Sequence, residues 1–371
     1  MSRPQSRRIT FVIASLTGGG AERVISTMAN AWVARGQTIT IITMTGGERK
    51  PFYPLDSEVH LVPLGRSRPS QTPLHAIRNN LNRIRDLRRA IVSSQPDVVI
   101  SFLDTTNVLT LLATRRLGFP VIVAEHTDPG LKRLHPAWQQ LRRVLYPRAN
   151  RLIVLSESAR TYFPARIQQR TVILPNPIAI DPASETIANP DRPQIVGMGR
   201  FGPEKGFDQL IDSFALVAPE FPDWDLVIWG EGALRPDLEA QCDRLGLGTR
   251  VLLPGQTTRP HDALRTATIF ALSSRREGFP MVLAEALACG TPAVAFAISS
   301  GVGDILRDQI DGLLVPSGDT TVFAQALASL MTDSNRRTTM AANAPHVLER
   351  FGVETIMDRW DALTEDIISS Q

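Results

Sequence analysis

Short apolar runs alternate with longer amphipathic stretches along the whole chain. Ile9–Leu16, Thr38–Met44, Val59–Pro63, Asp97–Phe102, Pro120–Ala124, Leu152–Leu155 and Thr171–Leu174 have strand length. Helices are expected over Ala21–Arg35, Leu74–Ser93, Thr106–Leu117 and Leu131–Arg148, with Ser156 capping another. This βαβ rhythm predicts a parallel sheet. Pro175–Pro193 is proline-rich and reads as a domain boundary. A second series follows it. Its strands are expected at Gln194–Gly199, Leu226–Trp229, Val251–Leu253, Ile269–Leu272, Thr291–Phe296 and Gly312–Val315. Its helices are expected at Phe207–Ala218, Ala233–Leu245, Met281–Cys289, Thr321–Met331 and Arg336–Arg350. The last helix, Val353–Ser369, carries Ile356, Trp360, Leu363 and Ile367 on one face.

One helix breaks the pattern. Met281–Cys289 is apolar all round except for Glu285, and an all-apolar helix is normally buried. A carboxylate in its middle is costly unless it is hydrogen-bonded or neutralised. Pro280 suits the first helical position, and Gly290 is a stop. The free N–H groups around Phe279–Leu283 form an anion seat at the positive end of the helix dipole. Glu277 stands at the mouth of that seat and Glu285 in its wall. Phosphates for the N–H groups and hydroxyls for the carboxylates describe a phosphorylated polyol such as a sugar nucleotide. The plainer alternative pairs Glu285 with an internal Arg and leaves Glu277 in solvent.

Other candidates lie at strand ends, where open α/β sheets place their ligands. Thr17-Gly18-Gly19-Gly20 forms a tight turn between the first strand and helix. It is not the dinucleotide fingerprint, because Arg23 stands where the third glycine belongs. His126 follows the strand ending at Ala124 and could act as acid, base or hydrogen-bond donor. Arg200 and Lys205 flank the first turn of the second series, a pairing suited to phosphate. Gly230 and Gly232 in Trp-Gly-Glu-Gly could let a nucleotide base approach closely. Asp223-Trp224-Asp225 is discounted as a metal motif because it lies at a strand start.

The 371 residues suggest two domains. Net charge is +3, but residues 1–180 hold 25 Lys+Arg and 10 Asp+Glu, and the remainder holds 15 and 27. The basic half suits an anionic surface: phospholipid, nucleic acid or a pyrophosphate-linked acceptor. Leu131–Arg148 mixes Arg133, Arg142 and Arg143 with Leu and Trp, as an interfacial helix does. A core-packed helix with a solvated basic face is the competing reading. Cys242 and Cys289 are far apart and give neither a disulfide framework nor metal spacing. No signal peptide or membrane helix is read, so a cytoplasmic protein is expected.

Glu277-x7-Glu285 within EGFP-x4-EALACGTPAV resembles the hallmark of retaining glycosyltransferases of family 4. GGGAERV and GRFGPEKGFDQLIDSF resemble the family's N-terminal loop and its diphosphate-clamping motif. The resemblance covers nearly the whole chain and implies the GT-B fold, two Rossmann-like doubly wound domains facing across a cleft. Residues 1–180 with the crossing helix 353–371 would form the acceptor domain, and 181–352 the nucleotide-sugar donor domain. It implies that Arg200 and Lys205 clamp the donor diphosphate and that Glu277 binds sugar hydroxyls. Glu285 would hold the ribose, and backbone groups of Gly278, Phe279, Pro280 and Met281 would line the donor. His126 would support the reacting sugar, and Gly19 and Gly20 would approach the donor phosphates. The implied reaction moves a hexose or N-acetylhexosamine, with retention, from a UDP-sugar to a lipid-linked or surface-polysaccharide acceptor. Arg200 and Lys205 would do a metal's work, so no metal or other cofactor is expected. Expected partners are the nucleotide sugar, a glycan or polyprenyl-diphosphate-linked acceptor and an anionic membrane surface on the inner face of the cell membrane, with no nucleic acid. Val302 and Asp304 stand where relatives often have Pro and Glu. The competing classes are a dinucleotide-dependent oxidoreductase and an inactive nucleotide-sugar-binding subunit.

Overall fold

The computed structural model describes every residue except 1–5, 48–49, 67–71, 127–128, 131–133, 182, 184–189, 299–300 and 371. The chain divides into two compact units, Met1–Pro177 with Val353–Gln371, and Ile178–Gly352.

The first unit runs β1 (Arg8–Ile13), α1 (Gly20–Ala34), β2 (Thr38–Thr43), β3 (His60–Pro63), α2 (Pro73–Ser94), β4 (Val98–Phe102) and α3 (Asp104–Ala113). It continues with β5 (Val121–Ala124), α4 (Pro136–Leu145), β6 (Arg151–Val154), α5 (Glu157–Thr161), α6 (Ala165–Gln168) and β7 (Thr171–Ile173). All seven strands are parallel, in the order β3-β2-β1-β4-β5-β6-β7. Val12, Val99, Val123 and Val154 lie fully buried in one of the cores on this sheet, as expected of strands covered by helices. Strand order reverses between β1 and β4, which opens a crevice at their C-terminal ends.

The second unit runs β8 (Gln194–Met198), α7 (Phe207–Val217), β9 (Asp225–Trp229), α8 (Arg235–Arg244), β10 (Val251–Gly255), α9 (Pro260–Arg265) and β11 (Ile269–Leu272). Then come α10 (Met281–Ala288), β12 (Ala293–Ala297), α11 (Val302–Ile305), β13 (Gly312–Pro316), α12 (Thr320–Thr332), α13 (Ser334–Asn343) and α14 (Val347–Phe351). Its six parallel strands are ordered β10-β9-β8-β11-β12-β13, so the reversal falls between β8 and β11. The helix expected over Arg336–Arg350 is divided by a 3-10 turn at Ala344–His346. Pro345 has no N–H to continue the helical ladder.

The terminal helix α15 (Val353–Ser369) packs on α1 of the first unit. Trp360 meets Trp32 edge to face at 6.1 Å. The Trp32 indole donates to Asp361 at 2.7 Å, and Arg35 pairs with Asp361, Asp358 and Glu354. The apolar face read from the sequence buries Ile356, Trp360 and Ile367, and Arg35 fixes the register of the helix.

Leu131–Arg148 is not one helix among the described residues. α4 covers only Pro136–Leu145, with His135 accepting from the Ala137 N–H, and Tyr146–Arg148 is a 3-10 turn. Pro136 sits at the start of α4, where a missing N–H costs nothing. Arg133 lies outside the described residues.

Candidate active site

The strand-order reversal of the second unit carries the candidate chemistry. Arg200 and Lys205 leave β8, and Ser273–Glu277 leave β11, so both segments start at the same crevice. Lys205 Nζ donates to Glu277 Oε1 at 2.7 Å, and Ser274 Oγ donates to the same oxygen at 2.7 Å. The pair is mostly sheltered, with side-chain exposures of 20% for Lys205 and 11% for Glu277. Glu277 Oε2 and the other two N–H groups of Lys205 have no partner among the described residues. Arg200 is open to solvent, 77% exposed, and meets Glu204 at 2.7 Å. That pairing holds the Glu204 carboxyl below its usual range against the cost of partial burial.

The two segments are fastened together. Ser273 Oγ donates to the Lys205 carbonyl at 3.1 Å, and the Arg275 N–H donates to the Glu204 carbonyl at 2.9 Å. Arg275 also grips Asp208 with both arms, at 2.7 and 2.5 Å, and lowers that carboxyl's pKa. Gly206 between them has φ +63°, and a Cβ there would lie 2.3 Å from the Ser273 carbonyl oxygen. Only glycine allows this approach.

Glu285 lies on α10 and is 4% exposed, beside the buried Leu283, Ala284, Ala286 and Leu287 of the same helix. Two expectations for this segment need correction. Pro280 is the N-cap, not the first helical residue, because its ψ of 79° lies outside the helical range. The seat is also narrower than Phe279–Leu283. The Met281 N–H bonds the Phe279 carbonyl at 2.8 Å, and the Leu283 N–H bonds the Pro280 carbonyl at 3.0 Å. Among the described residues, the N–H groups of Gly278, Phe279 and Val282 are left without a backbone acceptor.

Gly230 has a structural duty. A Cβ on it would sit 1.8 Å from the Gly199 carbonyl oxygen, so the close approach it permits is between β8 and β9 ends. Asp225 starts β9 and pairs with Arg250 at 3.2 Å and Arg192 at 3.4 Å, away from the strand C-termini, as its position suggested.

In the first unit, Gly19 and Gly20 open α1 after β1, beside the β1/β4 reversal. His126 follows β5. Both its ring nitrogens are buried without a hydrogen-bond partner among the described residues, and its ring lies 4.9 Å from that of Phe102. Burial pushes its pKa down to about 4, with nearby Asn176 acting weakly the other way, so the ring is neutral at pH 7. An unfolded histidine titrates near 6.5. Between those values the unfolded chain binds the proton and the folded chain does not. Stability from this group is therefore complete above about pH 6.5 and is lost as pH falls toward 4. His126→Gln should flatten the fall in unfolding free energy between pH 7 and pH 4.5 by up to about 3 kcal/mol in urea titrations. Identical falls in both proteins would contradict a buried neutral imidazole.

Arg142 is corrected from a surface residue to a buried one, at 3% exposure. It donates to Gln139 and Tyr162 at 3.0 Å each, lies over the Tyr162 and Phe163 rings, and faces buried Glu125 at 3.7 Å. A buried guanidinium needs these partners, so they hold it inside. Arg143 is exposed. Tyr146 OH also donates to Glu125, and Asn107 donates to the Tyr146 oxygen at 3.1 Å. This network braces the strand end that carries His126. Leu103, between β4 and α3, has φ +73°, a strained value for a branched side chain. Nothing in its residue type signals that strain.

Two Rossmann-like units, each a parallel sheet with one strand-order reversal, have the architecture of the GT-B class of transferases. The chain belongs to the glycosyltransferases of family 4: residues 18–182 match the model "Glycosyltransferase Family 4", and residues 183–347 match "Glycosyl transferases group 1". It is 31% identical over 363 residues to a Campylobacter jejuni α-1,4-N-acetyl-D-galactosaminyltransferase acting on a diphospho-undecaprenol-linked glycan, covering 97% of this chain and 99% of that one. It is 24% identical to the Erwinia amylovora amylovoran biosynthesis glycosyltransferase AmsD, covering 92% and 95%. Among solved structures, sucrose-phosphate synthase from Thermosynechococcus elongatus superposes with a TM-score of 0.84 at 18% identity, covering 98% and 99%. The protein is thus a glycosyltransferase, and the oxidoreductase reading is set aside.

Proposed function

We propose that the protein transfers a hexose or N-acetylhexosamine, with retention, from a UDP-sugar to a lipid-linked or surface-polysaccharide acceptor. The observation that carries this reading is the Lys205–Glu277 pair at the β8/β11 reversal, with Arg200 on the loop leaving β8 and Glu285 following on α10. The names of the Campylobacter and Erwinia relatives support the acceptor class. Arg200 and Lys205 would bind the diphosphate and neutralise it as the bond from sugar C1 to the phosphate oxygen breaks. The acceptor oxygen bonds C1 on the same face, and its proton passes to the departing phosphate. Glu277 would take sugar hydroxyls and Glu285 ribose hydroxyls. Gly230 keeps the base-side role only through the turn it shapes. His126 would offer a neutral nitrogen to a substrate hydroxyl. No metal enters this scheme.

The test is transfer from UDP-N-acetylgalactosamine to a synthetic undecaprenyl-diphosphate glycan in EDTA, with the product's anomeric configuration read by NMR. An α-linked product supports the reading; an inverted product, or transfer that needs a divalent metal, contradicts it.

For an anionic-surface contact we propose α2 in place of α4. Ile77, Leu81 and Val92 are 60%, 62% and 44% exposed, and Arg78, Arg85 and Arg89 are exposed beside them at helical spacing. Apolar and basic residues on one exposed face suit an anionic bilayer. Arg78, Arg85 and Arg89 changed together to Gln should weaken sedimentation with phosphatidylglycerol vesicles at least tenfold; unchanged sedimentation would refute the α2 contact. Among the described residues no helix is long and apolar enough to cross a membrane.

A further inference from the structure

Ser274 is 2% exposed and lies three residues before Glu277, in the loop leaving β11. Its hydroxyl reaches one carboxylate oxygen, Oε1, the same atom that Lys205 holds. The two donors thus fix one edge of the carboxylate, and Oε2 is without a partner among the described residues. Ser274 is in turn held by its neighbours, because Ser273 is tied to Lys205 and Arg275 is tied to Glu204 and Asp208.

We infer that Ser274 is a positioning residue for the donor reaction. It holds Glu277 so that Oε2 faces the donor sugar. This deepens the donor-site reading above and rests on it. A carboxylate accepts several hydrogen bonds, and a hydroxyl donor fixes its rotation without adding charge. Without the hydroxyl, the only remaining donor on Glu277 among the described residues is Lys205. The carboxylate can then rotate about the one bond it keeps, so that Oε2 no longer faces the sugar. The sugar loses its acceptor, while the phosphate seat keeps its cation.

The consequence is a split between sugar-dependent and phosphate-dependent steps. Ser274→Ala should lower kcat for turnover of UDP-N-acetylgalactosamine about tenfold and leave the calorimetric affinity for UDP alone within about twofold. A residue that merely supports the loop would weaken both together. Ser274→Ala should also add little to Glu277→Gln, because the hydroxyl acts through the carboxylate. The four proteins of this cycle are compared for kcat and UDP affinity, with melting temperature as the check on folding.

A tenfold loss of kcat in the native background, absent in the Glu277→Gln background, supports the inference. If Glu277→Gln lowers turnover but Ser274→Ala does not, or if Ser274→Ala costs the same in both backgrounds, the positioning role is overturned while the donor site stands. If the native protein turns over none of a panel of UDP-hexoses and UDP-N-acetylhexosamines, or if Glu277→Gln turns over normally, the donor-site reading itself fails, and the inference with it.

Discussion

Lys205→Ala should lower turnover of the donor by about 10²–10³-fold, the range found when a group stabilising transition-state charge is removed. In the proposed reaction the leaving group is a diphosphate, and negative charge grows on it as the bond to the sugar breaks. Lys205 is sheltered and sits 2.7 Å from Glu277, so its ammonium is already placed and needs little ordering when the donor arrives. Affinity for UDP alone should fall as well, because the charge acts on the ground-state phosphates too. The sheltered Glu277 keeps its bond from Ser274 in this variant, so the fold should survive. Arginine should rescue poorly: its planar fork does not match an ammonium held against a single carboxylate oxygen. Steady-state kinetics and UDP calorimetry on the folded variant check this. Turnover within a few-fold of the native protein would remove Lys205 from the phosphate seat.

Glu285→Gln should weaken UDP binding by about 10–100-fold, the equivalent of losing a hydrogen bond to a charged group. The change keeps the side chain's shape inside a helix whose neighbours Leu283, Ala284, Ala286 and Leu287 are all buried. Loss of packing is therefore a minor contribution. The proposed ribose role gives a sharper readout. The native protein should prefer UDP to 2′-deoxy-UDP, and Glu285→Gln should bind the two nearly alike. Equal discrimination in both proteins would mean that Glu285 is spent on the interior of the unit and not on the nucleotide.

The candidate residues of the second unit were legible in the sequence for a physical reason. A carboxylate at position 285 within an otherwise apolar helix has no cheap packing explanation, and Arg200 and Lys205 fall just after a strand. Such charges at strand ends are visible because the surrounding pattern is so regular. The limits of α15 were equally plain, since its apolar spacing is undisturbed from Val353 to Ser369. What the pattern missed depends on partners distant in sequence. Arg142 looks like any surface arginine until Glu125, Tyr162 and Phe163 fold around it. Ser274 looks like a loop serine until Glu277 and Lys205 meet beside it. The break at Pro345 was written in the residue itself, but the amphipathic pattern on both sides masked it. The strain at Leu103 is invisible to residue type, because a leucine is not expected at positive φ.

The central claim is that the β8/β11 reversal of the second unit binds a nucleotide diphosphate sugar without a metal. Its most direct test is thermal stabilisation by a panel of UDP, GDP, their sugars and NAD, measured with and without EDTA, in the native protein and in Lys205→Ala. Ligand that binds only the folded state raises the melting temperature by mass action. A rise with UDP and UDP-sugars that survives EDTA and is largely lost in Lys205→Ala is expected. A rise abolished by EDTA, or one equally large in Lys205→Ala, would contradict the claim.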